Sequence, residues 1–226
     1  FSGTVAPLPD SGRLSGIFKH PVSNPIHLGR GGFDGDQQAD LRVHGGPDKA
    51  VHLYPAAHYA LLAKQFPQAN DDLVPGSLGE NISSAGLDEC GVRIGDIFQL
   101  GDALLQLCQP RSPCWKIDDR FGVDGIAAFI AEQGLTGWYF RVVQSGMVAP
   151  DATLDLRESS AGAPTLHAAL AVLRLHRPDP GELRHLAAAP GIAAGWRQKI
   201  EARATWLEGN DAPPAPPPLF HVKPEE

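Results

Sequence analysis

Cys114 is the residue whose neighbours best suit it to chemistry. It lies in Gln109-Pro110-Arg111-Ser112-Pro113-Cys114-Trp115-Lys116, a strand end running into a loop that two prolines stiffen and two cations flank. Positive charge on both sides favours the thiolate, the form of sulfur that attacks carbon or binds a metal. The prolines restrict the backbone and hold the sulfur at a fixed point. The same segment also describes a buried structural thiol, which is what most free cysteines are, so the flanks alone leave both readings open. Cys108, inside an apolar strand, reads as core. Cys90, between Glu89 and Gly91, has acidic surroundings and reads as inert. The three thiols form no Cys-x-x-Cys pair and leave an odd one over, a usage that suits a reducing compartment.

A second segment, residues 29–50, is rich in glycine and carries Arg30, Arg42 and Lys49. Successive amides in such turns can form an anion-binding concavity, and the cations would add charge to a bound phosphate. Hairpin turns explain the glycines equally well. No Walker loop is present, and no Gly-x-Gly-x-x-Gly opens a helix. In a third segment, Ser77-Leu78-Gly79-Glu80-Asn81-Ile82, two polar side chains sit between apolar ones, fitting either a strand edge or a hydrogen-bonding pair for a ligand. Among His20, His27, His44, His52 and His58 there is no His-Glu-x-x-His and no paired Cys/His spacing, so zinc is not expected. His52 belongs to a strand and His58 to a helix face. His44, beside Gly45-Gly46, is the histidine to choose if one is functional. Lys19 falls in a strand reading Ile17-Phe18-Lys19, where a lone lysine usually marks a solvated face.

The elements that must position these groups read as α+β. Residues 1–156 are dense in Gly and Pro with short alternating runs, a β-rich body. The clearest hairpin is 97–100 with 103–109 about a Gly101-Asp102 turn, since a Gly-first two-residue loop suits such turns. A second strand pair is expected at 138–143 with 147–148. Amphipathic, peripheral helices are expected at 55–66, with Pro55 in its first turn and Tyr54, His58, Leu61, Leu62 and Phe66 on one face, and at 124–133. A strand at 153–157 and a small polar linker precede a helical pattern: 165–175 with Thr165 as N-cap, 180–188 with Asp179 as N-cap and Pro180 at N1, and 192–207. The organisation expected is a β-barrel-like domain over 1–158, a three-helix domain over 164–208, and a Pro-rich extended tail over 209–226.

A chain of 226 residues, 42% hydrophobic, can bury one good core plus a small appendage. The formal charge of −7 argues against a general nucleic-acid binder, which needs clustered Lys and Arg. No long apolar run or signal-peptide pattern is visible, so no membrane span is expected and a cytoplasmic protein is the default. Trp196, Arg197, Lys199, Arg203 and Trp206 give the last helix some charge and aromatic surface. Arg197 and Glu201 form an i,i+4 pair, and packing against the barrel is the expected role.

Four stretches occur together: Gly-Phe-Asp-Gly-Asp-Gln at 32–37, His-Gly-Gly-Pro-Asp-Lys-Ala at 44–50, Gly-Glu-Asn-Ile at 79–82 and Gln-Pro-Arg-Ser-Pro-Cys at 109–114. In that order the sequence resembles the MOSC family, the molybdenum cofactor sulfurase C-terminal-type domains, over residues 1–157. The helical remainder resembles the small C-terminal domain of the YiiM-like bacterial branch. The resemblance implies a β-barrel-like fold, a molybdenum cofactor (Mo-molybdopterin) in a basic cleft, and Cys114 as metal ligand. It places Lys19, Arg42 and Lys49 on or near the cofactor phosphate, Arg111 beside the Cys114 thiolate, and Glu80 and Asn81 on the pterin. A soft thiolate suits such a metal.

The activity the resemblance implies is reduction of N-hydroxylated small molecules, such as 6-hydroxylaminopurine and related base analogues, to the amine and water, a detoxification. The resemblance also implies that electrons come from a separate reductase, with which the lack of any stretch resembling a flavin, haem or iron–sulfur module is consistent. His44 or a water would supply the proton. A monomer or homodimer would suffice. The alternatives are a non-catalytic cofactor carrier or sulfur-relay protein using Cys114, and a cysteine hydrolase pairing Cys114 with His44.

Overall fold

The computed structural model describes residues 1–209. The chain opens with a short antiparallel pair, β1 (Ala6–Pro7) and β2 (Leu14–Ser15), followed by β3 (Ile26–Gly29) and β4 (Gly32–Phe33). A single helical turn, α1 (Leu41–His44), and a 3-10 turn at Pro47–Lys49 lead into β5 (Val51–Pro55) and α2 (Ala57–Gln65). Then come β6 (Ile82–Ser84), the hairpin β7 (Ile97–Leu100) and β8 (Ala103–Pro110), and helices α3 (Lys116–Phe121) and α4 (Ile126–Gln133). The strands β9 (Trp138–Gln144), β10 (Gly146–Val148) and β11 (Leu154–Glu158) precede α5 (Leu166–Arg174), α6 (Pro180–Ala187) and α7 (Ala194–Gly209). The expected Pro-rich tail lies outside the described residues after Gly209. Among the described residues no helix is long and apolar enough to cross a membrane.

The α+β expectation holds, with the β layer built as a curled half-barrel. A six-stranded sheet runs β11-β7-β8-β9-β5-β6, antiparallel except for the last pair, and a separate three-stranded sheet runs β10-β3-β4. The β7–β8 hairpin turns at Gly101, whose φ of 57° is open to glycine at no steric cost, and a Cβ there would meet the Met147 carbonyl oxygen at 2.4 Å. β9 does not pair with β10, contrary to expectation. Only Ser145 separates them, too little for a hairpin, so the chain crosses to the other sheet and β10 pairs with β3, Met147 opposite His27.

Pro55 ends β5 instead of opening a helix, and Tyr54 is a fully buried strand residue. The helix after it buries His58, Tyr59 and Leu62 while Leu61 stays about half exposed. Thr165 and Asp179 cap α5 and α6 as expected, each accepting a hydrogen bond from the amide three residues on.

The helical segment is fastened to the half-barrel along its length. Leu166 and His167 donate backbone amides to the carbonyls of Val92 and Glu89, and the Ala193 amide reaches the Cys108 carbonyl on β8 at 2.8 Å. One apolar cluster runs from Phe98, Leu105 and Phe140 of the sheet into Leu170, Leu183 and Ile200 of the helices. Arg203 is buried and donates to the Leu173 and Leu175 carbonyls, satisfying the end of α5 from α7. Arg203 is thus a packing residue.

Candidate functional site

β8 carries the thiol to the site. After Pro110 the Arg111 amide still bonds to the Gly137 carbonyl beside β9, at 3.2 Å. The chain then leaves the sheet, and the Cys114 carbonyl accepts from the Ile117 amide as α3 begins. Cys114 is 9% exposed, and what it shows faces a cleft of two lobes, one narrow, of about 80 Å³, and one wide, of about 460 Å³. The lobes meet at Cys114, His44, Lys49 and Tyr139.

The narrow lobe is cationic. Lys19, Arg111 and Lys116 join Lys49 in lining it. Lys19 is not on a solvated strand face: it stands in an extended stretch outside the sheets, paired with the buried carboxylate of Asp36. Asp36 also accepts from the Gly3 amide and from Asn81 Nδ2, at 2.8 and 3.0 Å. Asn81 completes the frame by accepting the His52 amide through Oδ1 at 3.0 Å. Lys49 is steadied by the Val43 carbonyl, and so anchors the turn that carries His44.

These charges shape the titration of their neighbours. Burial, then Lys116, Lys49 and Arg111, press the His44 pKa down to about 4, so its imidazole is neutral at pH 7. Burial, then Lys199, lowers that of Lys49. His52 is held well below its usual value by burial and then Arg111. By contrast, burial pushes the Cys108 thiol up to about 12, in keeping with its reading as core.

Arg111 supplies a test of what the cleft would hold. Its side chain is buried, Nη2 donates to the Leu78 carbonyl at 3.2 Å, and Nη1 is buried without a hydrogen-bond partner. A buried unpaired guanidinium nitrogen fits an anionic ligand such as a phosphate. Among the described residues no group of three or more His, Cys, Asp or Glu side chains is placed to hold a metal ion. A metal at Cys114 would therefore bring its remaining ligands with it, as a dithiolene cofactor does. The donor set fits that group.

The MOSC domain family model matches residues 40–155. The chain belongs to the MOSC family. It is 37% identical over 204 residues to Protein YiiM of Escherichia coli, covering 90% of each chain. It is 34% identical over 145 residues, 64% of this chain and 26% of the other, to a protein of Gibberella moniliformis named "Reductase". The crystal structure of YiiM from Escherichia coli superposes with a TM-score of 0.75 at 31% identity, covering 93% of this chain and 96% of that one.

Two residues expected on the cofactor lie away from this MOSC cleft. Arg42 projects into solvent, its side chain 89% exposed, and makes a two-pronged pair with Asp40 at 3.0 Å. Asp40 also caps α1, so the pair serves the helix turn, and the Arg42 guanidinium holds the Asp40 pKa down at about 2. Glu80 points into the core, where Oε1 accepts from Tyr59 Oη and from the Gly76 amide, both at 2.6 Å. It fixes the loop that carries Asn81 and does not line either lobe. Cys114, His44, Lys19, Lys49, Asn81 and Arg111 do line the MOSC cleft.

Sequence reasoning gave no role to Asp36, His52 or Tyr139, nor to Trp196 and Lys199 of α7, which line the wide lobe. Asp36 was within reach, since it stands inside the Gly-Phe-Asp-Gly-Asp-Gln stretch. Trp196 and Lys199 had only their i,i+3 spacing, which places them on one helix face but does not say what that face meets.

Proposed function

We propose that the protein binds a molybdenum-pterin cofactor through the Cys114 thiolate and reduces N-hydroxylated small molecules, N-hydroxylated purine analogues such as 6-hydroxylaminopurine among them. The observation that carries this reading is the placement of Cys114 where a cationic lobe, with an unpaired Arg111 nitrogen, meets a wider one. The relative named as a reductase supports the reaction type.

The bound group would supply the two-electron chemistry at the reacting N–O bond. Lys19, Lys49 and Arg111 would hold its phosphate, and Asn81, clamped by Asp36 and His52, would present a fixed edge to the pterin. The overall change takes R–NHOH, two electrons and two protons to R–NH₂ and water. The electrons come from a separate reductase. At neutral pH His44 enters without a proton, so its role is to accept a hydrogen bond and orient water, and the protons arrive through that water. Among the described residues His44 and Cys114 share no hydrogen bond, and nothing favours a cysteine hydrolase.

The test is molybdenum and pterin content of wild type and Cys114→Ala made in a cofactor-competent host, with turnover of 6-hydroxylaminopurine by the loaded wild type and a reductase. Loss of metal in the variant and turnover by the wild type are expected. Full metal loading of Cys114→Ala would overturn the ligand assignment, and loading without turnover would favour a carrier.

A further inference from the structure

We infer that the mouth of the narrow lobe is the docking face for the protein that donates electrons, an acidic redox protein that seats its apolar centre on Leu14 and Leu41. This rests on the reading of Cys114 as the ligand of a redox-active group supplied with electrons from outside the chain.

Leu41 and Leu14 are the two most exposed large apolar side chains among the described residues, at 66% and 58%. Both stand at the mouth. Leu14 directly precedes Ser15, and Leu41 lies two residues after Ala39 and three before His44; Ser15, Ala39 and His44 all line the lobe. The two rim segments touch, since a Cβ on Gly16 would lie 2.2 Å from the Gln37 carbonyl oxygen. Two residues from Gly16 and four from Gln37 put the leucines at most roughly 25 Å apart. An interface of ordinary size covers about 800 Å² per partner, roughly 30 Å across, and takes in both. Exposed leucines scattered singly need no partner, but a pair flanking one opening marks a docking face.

The same rim leads to the sulfur. Lys116 Nζ donates to the Leu14 carbonyl at 3.1 Å, and the Arg13 guanidinium stands over the Trp115 ring, 5.3 Å from its centre. Trp115 and Lys116 are the two residues after Cys114. Electron transfer falls steeply with distance, and Cys114 is too buried for a protein to touch. A donor seated on Leu14 has a short bonded path to the thiolate.

Charge at the rim says what kind of protein fits. Asp36 and Asp40 are taken by Lys19 and Arg42, and Asp119 accepts the Asp10 and Ser11 amides. The contacts of Arg13 and Lys116 are a ring face and a carbonyl, which leave their charge uncompensated. Carboxylates around an apolar centre complement such a rim. A second copy of this chain would set Arg13 and Lys116 against their own like across a two-fold axis. Two leucines without an amphipathic helix are too small an anchor for a lipid surface.

The test uses flavodoxin hydroquinone, a small acidic flavoprotein donor. Two of them, each oxidised to the semiquinone, deliver two electrons, which with two protons from solvent take R–NHOH to R–NH₂ and water. Turnover of 6-hydroxylaminopurine by the molybdenum-loaded protein is measured with this donor and, separately, with reduced methyl viologen, a small molecule that needs no docking face. Flavodoxin binding is measured alongside by calorimetry. The variants are Leu14→Ser with Leu41→Ser, Arg13→Glu, and Leu156→Ser, which removes a half-exposed leucine from β11 as a control.

In the double variant the flavodoxin Kd and its half-saturating concentration should rise about tenfold or more, the scale of a lost interface anchor. Arg13→Glu should slow association and weaken its salt dependence. Viologen-driven turnover and metal content should stay at the wild-type level in every variant, and Leu156→Ser should match wild type with both donors. Unchanged flavodoxin affinity in the double variant, a parallel fall with both donors, no flavodoxin binding by the wild type, or binding of the wild type to phosphatidylglycerol vesicles through the same leucines would overturn the inference. No turnover by the wild type with either donor, with flavodoxin binding still dependent on Leu14 and Leu41, would instead overturn the proposed reaction and leave the docking face standing.

Discussion

Lys19 and Asp36 form an ion pair inside the cleft, with side chains 4% and 1% exposed. Because Asp36 also takes the Gly3 amide and the Asn81 side chain, it holds three parts of the cleft rim together. Breaking a buried pair from one side leaves a charge without compensation. Asp36→Ala should destabilise the protein by about 3–5 kcal/mol in urea denaturation and lower its cofactor content. Native stability in the variant would contradict the pairing.

Arg42 and Arg111 should separate cleanly. Arg42→Ala removes an exposed charge and is expected to leave cofactor content at the wild-type level. Arg111→Lys keeps the charge but not the forked donor set, so the bond to the Leu78 carbonyl and the unpaired nitrogen can no longer coexist. Cofactor content per folded protein should fall several-fold, as metal analysis would read. The opposite ranking would return Arg42 to the site.

Glu80 should behave as a structural residue. Glu80→Ala leaves Tyr59 Oη and the Gly76 amide without their buried acceptor, a loss of about 2–6 kcal/mol at 1–3 kcal/mol per orphaned group. Molybdenum bound per folded molecule should stay close to wild type. A stable variant that fails to load would place Glu80 on the cofactor after all.

The His44 pKa gives a pH dependence of known sign. Folding lowers it from 6.5 to about 4, so the native state binds fewer protons than the unfolded chain between those values. The associated stability is complete above pH 6.5 and drains away as pH falls toward 4, a change of about 3 kcal/mol from this group. His44→Asn should flatten the fall between pH 6.5 and 4 in cofactor-free protein. Denaturation midpoints at several pH values would show it, and parallel slopes would count against it.

How far the sequence carries depends on whether a signal is local. Thr165 and Asp179 were legible because capping is a matter of three residues, whereas the prolines and cations beside Cys114 singled it out without saying that it would face a cleft. Of Glu80 and Asn81 only Asn81 reaches the cleft, because neighbours in an extended segment face opposite ways, and composition does not say which of the two faces it. Arg42 misled because a charge in a glycine-rich loop has no direction until Asp40, two residues before it, claims it. β10 was misassigned because its partner, β3, lies more than a hundred residues earlier. The wide lobe had no local signal at all, since its far wall comes from α7.

That wall is a beam held at both ends. The chain just before α7 is tied to β8 at Cys108, and Arg203 ties the helix to the last carbonyls of α5, with about ten residues or 15 Å of helix between. Both supports fix the rotation of the helix as well as its position. One residue inserted between 193 and 196 would set the two supports about 100° out of register, so that the Ala193 amide and Arg203 could no longer both keep their partners. The spacing between the Ala193 tether and Arg203 thus acts as a ruler, and the protein's stability should be sensitive to length changes in a helix whose sequence carries no catalytic signature.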